Sequence, residues 1–272
     1  MPFNFENDSK LSALAEYLKN RQKVAVAFSG GVDSAFLLKF ASQILGKNAM
    51  ALNVSSVLQT KTELAEVQNF CRQHQIALQT VQFDPLQIPG FCLNPANRCY
   101  LCKKAIFTRI KQQAQALGFC CVIDGSNADD AGDFRPGMQA LKELEIESPM
   151  KMLGITKAEV RQFAKSLNLE QWNKAASACL ASRINYGEEI TSKKLYIIEE
   201  SEQFLRSLGV GQCRVRMHQN IARIEVLQEQ MPLIFENKAL IDQTLKNLGF
   251  SFVTLDLFGF KSGSLNKNLL QN

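Results

Sequence analysis

The stretch Phe28-Ser29-Gly30-Gly31-Val32-Asp33-Ser34 constrains this chain more than any other. Before it, Lys23-Val24-Ala25-Val26-Ala27-Phe28 has the length and β-branched content of a buried strand. After it, Ala35, Phe36, Leu37, Leu38, Phe40, Ala41, Ile44 and Leu45 repeat apolar residues at helical spacing. The order is strand, glycine turn, helix, with the turn at the helix N-terminus. Adjacent glycines allow positive φ and close approach of a ligand to the backbone amides. The unsatisfied N–H groups of a first helical turn, with the helix dipole, favour an anion there. Ser29 and Ser34 add hydroxyl donors, and Asp33 is a candidate magnesium ligand offsetting phosphate charge.

The loop lacks the lysine of a Walker A motif and does not have the G-x-G-x-x-G spacing of a dinucleotide turn. From Ser29 to Ser34 it resembles the S-G-G-x-D-S signature of PP-loop ATP pyrophosphatases at every fixed position. That resemblance implies ATP held by its pyrophosphate end and cleaved between the α and β phosphates. AMP is left on an acyl or carbonyl oxygen. Ser29, Gly30, Gly31, Asp33 and Ser34 are the implied ATP and magnesium contacts. The competing reading is a tight glycine turn without a ligand.

At 272 residues the chain is long enough for a sizeable core and for two domains. No apolar run reaches membrane-spanning length, and Met1-Pro2-Phe3-Asn4-Phe5-Glu6 lacks a basic-then-apolar leader, so the expectation is a cytoplasmic protein. In a reducing compartment the eight cysteines read as thiols, metal ligands or catalytic groups rather than disulfides. The net charge is +5. Residues 1–185 carry 21 Lys or Arg against 16 Asp or Glu, and residues 186–272 carry ten of each. A small anionic substrate fits that balance better than a polynucleotide.

Strand and helix patterns alternate through the first part of the chain. A helix over 9–20 precedes the first strand, and Met50-Ala51-Leu52-Asn53-Val54-Ser55 supplies a second. Thr60-Lys61-Thr62-Glu63 reads as a capping box opening a helix, and residues 76–83 make a third strand. A Pro/Gly/Asn-rich loop from Asp84 to Asn97 leads to Cys99-Tyr100-Leu101-Cys102, placed just before a further helix. A strand over 119–123 makes Cys120 and Cys121 core or strand-face residues, and it ends in Asp124-Gly125-Ser126-Asn127-Ala128-Asp129-Asp130. Thr156-Lys157-Ala158-Glu159 is a second capping box. This pattern predicts an α/β fold with a parallel sheet covered on both faces, and ligands bind such sheets at the carboxyl ends of strands. Asn53 and Gly125 then share the ATP loop's mouth. From Ile190 the pattern becomes helix (193–208), two strands (212–217, 221–227), helix (232–247) and strand (250–256), a smaller α+β domain. The expected boundary separates 1–187 from 188–272.

Cys99 and Cys102, with Arg98, Lys103 and Lys104 around them at a helix start, lie where the thiolate form is favoured. A lone C-x-x-C is a redox pair, half a zinc site or two iron–sulfur ligands. Zinc would want four ligands, and no second C-x-x-C exists. Cys179, in the polar segment Ala176-Ser177-Ala178-Cys179-Leu180-Ala181-Ser182-Arg183, is the natural third cysteine. Three cysteines suit a [4Fe–4S] cluster with one iron open; the plain alternative is a loop with incidental cysteines. Cys71, Cys92 and Cys213 read as packing residues. Arg214 and Arg216 alternate on a strand and point to one side, where two guanidinium forks suit a phosphate or carboxylate. A solvated face paired with Glu225 explains them equally well. His74 reads as structural, and His218 stays open.

Four separated motifs together resemble a narrower family. They are Ser29 to Ser34; Asp124 to Asp130 with Asp133-Phe134-Arg135-Pro136-Gly137; Ala176 to Arg183; and Asp256-Leu257-Phe258-Gly259-Phe260 with Gly263-Ser264-Leu265-Asn266. They are similar to the LarE family of ATP-dependent sulfur transferases, over nearly the whole chain. The resemblance implies adenylylation of a carboxylate of pyridinium-3,5-biscarboxylic acid mononucleotide and replacement of AMP by sulfur. The product is a thiocarboxylate for the nickel-pincer nucleotide of lactate racemase. It implies that Cys179 either is sacrificed, becoming dehydroalanine, or ligates a cluster. The presence of the C-x-x-C favours Cys99, Cys102 and Cys179 on a [4Fe–4S] cluster carrying an extra sulfide. Arg183, Arg214, Arg216 and Asp130 become candidate substrate contacts, and Asp129 and Glu200 candidates for magnesium or substrate. A homo-oligomer, and sulfide or a cysteine desulfurase as sulfur donor, are also implied. Ala175 departs from an expected proline and removes no functional atom.

Three rivals make different demands. A tRNA thiolase joins the same ATP loop to a three-cysteine cluster but predicts a basic face, against the neutral C-terminal part. An amide-forming synthetase gives no reason for the cysteines. An ATP-sensing regulatory protein would not cleave ATP in response to a small carboxylate.

Overall fold

The computed structural model describes residues 7–131, 136–174 and 178–261. Residues 133–135, 175–177 and 263–266, named among the motifs above, lie outside the described residues. The chain divides into two compact units, one holding 7–83 and 99–174 and the other 84–98 and 178–261, of the residues described. This differs from the boundary expected at 187/188. The loop at 84–98 goes with the second unit because Asn94 Nδ2 donates to the carbonyls of Ile184 (3.2 Å) and Asn185 (2.6 Å). Ile190 N also donates to Cys92 O at 2.8 Å.

The first unit holds α1 (Ser9–Arg21), β1 (Val24–Ala27), α2 (Val32–Leu45), β2 (Ala49–Ser55), α3 (Lys61–Gln73), β3 (Ala77–Gln82), α4 (Arg98–Ala116, from its second residue), β4 (Cys121–Ile123), α5 (Pro136–Glu143), α6 (Pro149–Met152) and α7 (Lys157–Ser166). Both expected capping boxes form: Thr60 with Glu63 opens α3, and Thr156 with Glu159 opens α7. The four strands run parallel in the order β3-β2-β1-β4. Alternation along β1 sends Val24 and Val26 into a core with Leu14 and Leu18 of α1, Phe36 and Phe40 of α2, and Phe163 of α7. Ala25 faces the opposite core, with Met50, Leu52, Phe107, Ile110 and Leu141. Both faces are therefore covered, as the apolar strands required. Strand order reverses at β1, so a crevice opens between the ends of β1 and β4.

Two expectations are corrected here. Cys99 and Cys102 do not precede α4 but lie within its first turn. Cys120 lies outside β4 and is exposed, while Cys121 is half-buried.

The second unit contains α8 (Ser192–Ser207), β5 (Cys213–His218), β6 (Ile221–Val226), α9 (Met231–Glu236), α10 (Lys238–Leu248) and β7 (Phe252–Leu255). The helix expected over 232–247 is two helices, broken at Asn237. β5 pairs antiparallel with β6, and β6 pairs parallel with β7. One sheet face is apolar (Val215, Met217, Ala222, Ile224), and the other carries Arg214, Arg216, His218, Arg223 and Glu225. No helix among the described residues is long and apolar enough to cross a membrane.

Candidate active site

Gly31 caps α2 with extended backbone and offers no side-chain acceptor to its first turn. The amides of Val32, Asp33 and Ser34 therefore point out of the helix as donors. The two serines hold the turn: Ser29 N donates to Ser34 Oγ (3.3 Å), Gly31 N to Ser29 Oγ (3.4 Å), and Ser34 Oγ to Gly31 O (3.1 Å). Gly30 adopts φ +79°, and a Cβ there would stand 3.0 Å from Val67 Cγ2. The loop is thus an anion cradle of backbone amides and two hydroxyls.

The end of β4 supplies the opposite wall. A Cβ on Gly125 would lie 2.8 Å from Ser34 N, so glycine is required there by the approach of backbone to backbone. Gly125, a candidate nucleotide contact, is thus needed for packing against the start of α2. Asn127 Nδ2 donates to Asp33 Oδ1 at 3.1 Å, and its amide N donates to Asp130 Oδ2 at 3.0 Å. Asp129 Oδ2 accepts the Lys157 amide at 2.8 Å, which satisfies the start of α7. Asp129 and Asp130 thus shape the turn that carries Asn127. Asn53, near the end of β2, is buried; Nδ2 donates to Phe28 O at 2.8 Å, while Oδ1 has no partner among the described residues.

Two lysines that sequence reasoning missed complete this mouth. Lys157 Nζ ion-pairs with Asp33 Oδ2, and Lys174 Nζ reaches both Glu66 Oε2 and Gly30 O (3.3 Å). Lys157 is the first residue of α7 inside a capping box, a position with no local mark of function. The half-buried Asp33 carboxylate is a hard oxygen donor of the kind magnesium takes. Among the described residues no three His, Cys, Asp or Glu side chains are grouped to hold a metal. A magnesium ion here would draw its remaining ligands from phosphate and water.

Cys99, exposed, and Cys102, half-buried, stand three residues apart in the first turn of α4 and so lie on one side of it. In the second unit, Cys179 is exposed beside the short turn Leu180–Arg183. Its carbonyl accepts from Ser182 Oγ (2.7 Å) and Arg183 Nη1 (2.9 Å). Arg183 also donates to Ala178 O, and its Nε and Nη2 form a fork on Glu202 at 2.8 and 3.0 Å. Arg183, a candidate substrate contact, is 2% exposed and holds the carbonyls of Ala178 and Cys179.

Glu202 is the hub of this unit and also went unread in the sequence. It is fully buried, and it accepts from Arg206 (2.9 Å) and Val215 N (3.1 Å) as well. Burial alone would raise its carboxyl pKa, but Arg183 beside it wins and holds it below the usual range. One signal existed: Glu202 interrupts the apolar spacing Leu195, Ile198, Leu205 on α8. Arg216 pairs with Glu225 (3.1 and 3.0 Å) and donates to Ser182 O (2.6 Å). Arg214, on the same face, donates to Cys213 O (2.8 Å) and stacks over Phe260, with no carboxylate hydrogen-bonded to it among the described residues. Burial, with Arg183 nearby, lowers its pKa. His74 caps α3 and packs edge-on against Phe70, a structural role.

A family model for the PP-loop domain matches residues 4–131. The chain is 43% identical, over 96% of its length and 98% of the relative's, to an uncharacterised protein of Synechocystis sp.. It is 36% identical to the pyridinium-3,5-bisthiocarboxylic acid mononucleotide synthase of Lactiplantibacillus plantarum, over 96% of this chain and 95% of that enzyme. An uncharacterised protein of Methanocaldococcus jannaschii is 31% identical over 92% of the chain and 94% of its own length.

Proposed function

Because this chain belongs to the LarE family of PP-loop ATP-dependent sulfur transferases, we propose that it converts a carboxylate of pyridinium-3,5-biscarboxylic acid mononucleotide into a thiocarboxylate. The observation that carries this reading is that the 264-residue likeness to the synthase runs across both units. The likeness thus takes in the segments that carry Cys179 and the arginine face, and not the nucleotide loop alone, which supports a shared role for them.

The chemistry follows from a poor leaving group. A carboxylate oxygen of the substrate attacks the α-phosphorus of ATP, and pyrophosphate departs from the cradle at Ser29, Gly30, Gly31 and Ser34. Developing charge on that pyrophosphate meets the amides of the α2 first turn and the ammonium groups of Lys157 and Lys174. Asp33 would hold a magnesium ion, whose charge would offset that of the phosphates. The acyl–AMP carbon then accepts a sulfur nucleophile, and AMP leaves. Arg214 holds an anionic group of the substrate, and Arg183 fixes the backbone of Cys179.

We assign the sulfur to one of two routes using the same cysteine. Three thiolates suit a cluster, and Cys99, Cys102 and Cys179 would be its ligands. Bound there, a [4Fe–4S] cluster would leave one iron open to hold an exchangeable sulfide. Otherwise Cys179 Sγ attacks the acyl carbon; loss of its Cα proton then breaks the Cβ–S bond, leaving dehydroalanine and the thiocarboxylate. We further place the protein in the cytoplasm, with sulfide or a cysteine desulfurase replenishing the donor. We infer self-association through edge strand β7, where Phe252 is 60% exposed, with Phe258, three residues past the strand, 70% exposed.

The deciding experiment is iron and acid-labile sulfide per chain in anaerobically purified protein, with Cys99→Ala as control. Cluster lost in the control supports the first route. Iron-free protein after reconstitution, whose mass falls by one hydrogen sulfide after a single turnover, supports the second. ATP cleavage indifferent to the dicarboxylate substrate would overturn the function itself.

A further inference from the structure

The polar face of the β5–β6 ribbon holds two buried donors that no acceptor among the described residues meets. Glu188 Oε1 accepts from Asn185 Nδ2 at 2.9 Å, which fixes the orientation of that amide because an ionised carboxylate only accepts. The same Nδ2 lies 2.8 Å from His218 Nδ1, so Nδ1 is the acceptor of this bond. The imidazole proton must then sit on Nε2, and Nε2 is buried without a partner. Arg223 repeats the pattern. Its Nη2 donates to Glu225 Oε1 at 3.0 Å and its Nη1 lies 3.5 Å from Asp256, yet its buried Nε has no partner.

The two residues are neighbours by register. Arg216 opposes Arg223 and His218 opposes Ile221, which puts His218 and Arg223 diagonally across the ribbon on one face. Diagonal pairs of long side chains are within reach of a common group. Arg216 is already engaged by Glu225 and Ser182 O, and Glu225 by both arginines, so the neighbours cannot supply the missing acceptor. Native chains seldom leave two such N–H groups unmet side by side. The cationic surroundings select an acceptor that is itself anionic. Burial, with Arg223 beside it, lowers the His218 pKa, so the ring stays neutral and its Nδ1 free of a proton at neutral pH.

We propose that His218 Nε2–H and Arg223 Nε–H together bind one oxyanion of the substrate, a carboxylate or phosphate group separate from the one met by Arg214. This rests on the reading above only in assuming that the second unit takes the anionic substrate.

The chain has two histidines, so NMR of isotope-labelled histidine in the full-length protein resolves each, with His74→Gln giving the assignment. Inorganic phosphate and pyridine-3,5-dicarboxylate are titrated separately. The expected result is a saturable shift of the His218 ring signal with at least one of them, while His74 does not move. The responsive probe identifies the group bound. Bound oxyanion should also raise the pH at which His218 protonates. Arg223→Gln should weaken binding roughly tenfold or more, and Arg223→Lys should restore only part of it, since lysine keeps the charge without the fork. An unchanged His74 signal certifies that these variants are folded. A His218 signal that ignores both probes, or that responds equally in Arg223→Gln, overturns the proposal. Neither ATP nor sulfur enters this measurement. A chain that makes no thiocarboxylate but shows the shift would therefore sink the functional reading alone, and an active chain with a silent His218 would sink this inference alone.

Discussion

The nucleotide loop and the arginine face, the two anion sites proposed above, are built in opposite ways. The loop uses backbone: an uncapped helix start, a glycine at φ +79° and a close approach at Gly125. The arginine face uses side chains drawn from distant positions, with Glu202 and Glu225 buried between Arg183, Arg206, Arg216 and Arg223. A backbone site tolerates changes of side chain and fails when atoms are added. A side-chain network fails when any charge is taken away, because the partner is left buried and unmatched. Each variant below tests whether that contrast holds.

The largest effect belongs to the group that both sulfur routes share. Cys179→Ala should abolish thiocarboxylate formation, while pyrophosphate release on addition of ATP and substrate continues. Product and pyrophosphate measured in one reaction give the answer. Loss of both would mean that the cysteine segment shapes the nucleotide site, and the two regions would not be separable.

Next comes Glu202→Gln. Removing a carboxylate from a buried pair costs roughly 3–5 kcal/mol, since Arg183 keeps its charge without its counter-ion. Urea unfolding should show that loss, and ATP affinity should survive in whatever fraction stays folded. Parallel loss of ATP affinity would show that the second unit supports the first.

These two variants also explain what could be read in the sequence. The sheet, both capping boxes and the ATP loop were legible, because each depends on spacing within about a dozen residues. Lys157, Lys174 and the pairing of Glu202 with Arg183 were not, because they join positions 124, 108 and 19 residues apart. Arg183 and Arg216 have the residue type of a substrate contact, yet buried carboxylates hold them. Composition offers no way to tell an arginine that is satisfied internally from one that is not.

Gly125→Ala tests the backbone site by addition. The new methyl group would have to displace the start of α2, for about 1–3 kcal/mol of overpacking and a weaker hold on ATP. Gly31→Ala is the control, since its Cβ would meet only Ser29 Oγ at 3.5 Å. Equal losses in thermal melts and ATP titrations would mean that flexibility, and not close approach, is what the loop needs. Lys157→Met should follow with a rise in the KM for ATP of roughly tenfold, or about 1.4 kcal/mol, recovered largely by Lys157→Arg. An unchanged KM would make Lys157 a partner of Asp33 in the empty loop only.

The smallest effect sharpens the contrast through pH. Burial, then Arg223, lowers the His218 pKa below its ordinary 6.5; burial, then Lys39, does the same for His74. Below about pH 6.5 the unfolded chain binds protons that the folded chain refuses, so stability must fall as pH drops from 6.5 through the folded midpoints. Glu202, held below 4.5, adds a loss of the same sign in a separate, more acidic window. His218→Gln should therefore flatten part of the slope of unfolding free energy between pH 7 and pH 5, leaving the share due to His74. Each histidine contributes less than about 1.4 kcal/mol per pH unit. If the slope in His218→Gln matched that of the wild type, the imidazole would be free to charge in the folded state. The arginine face would then be open enough to water that its side chains need no mutual satisfaction, and the difference between the two anion sites would lose its physical basis.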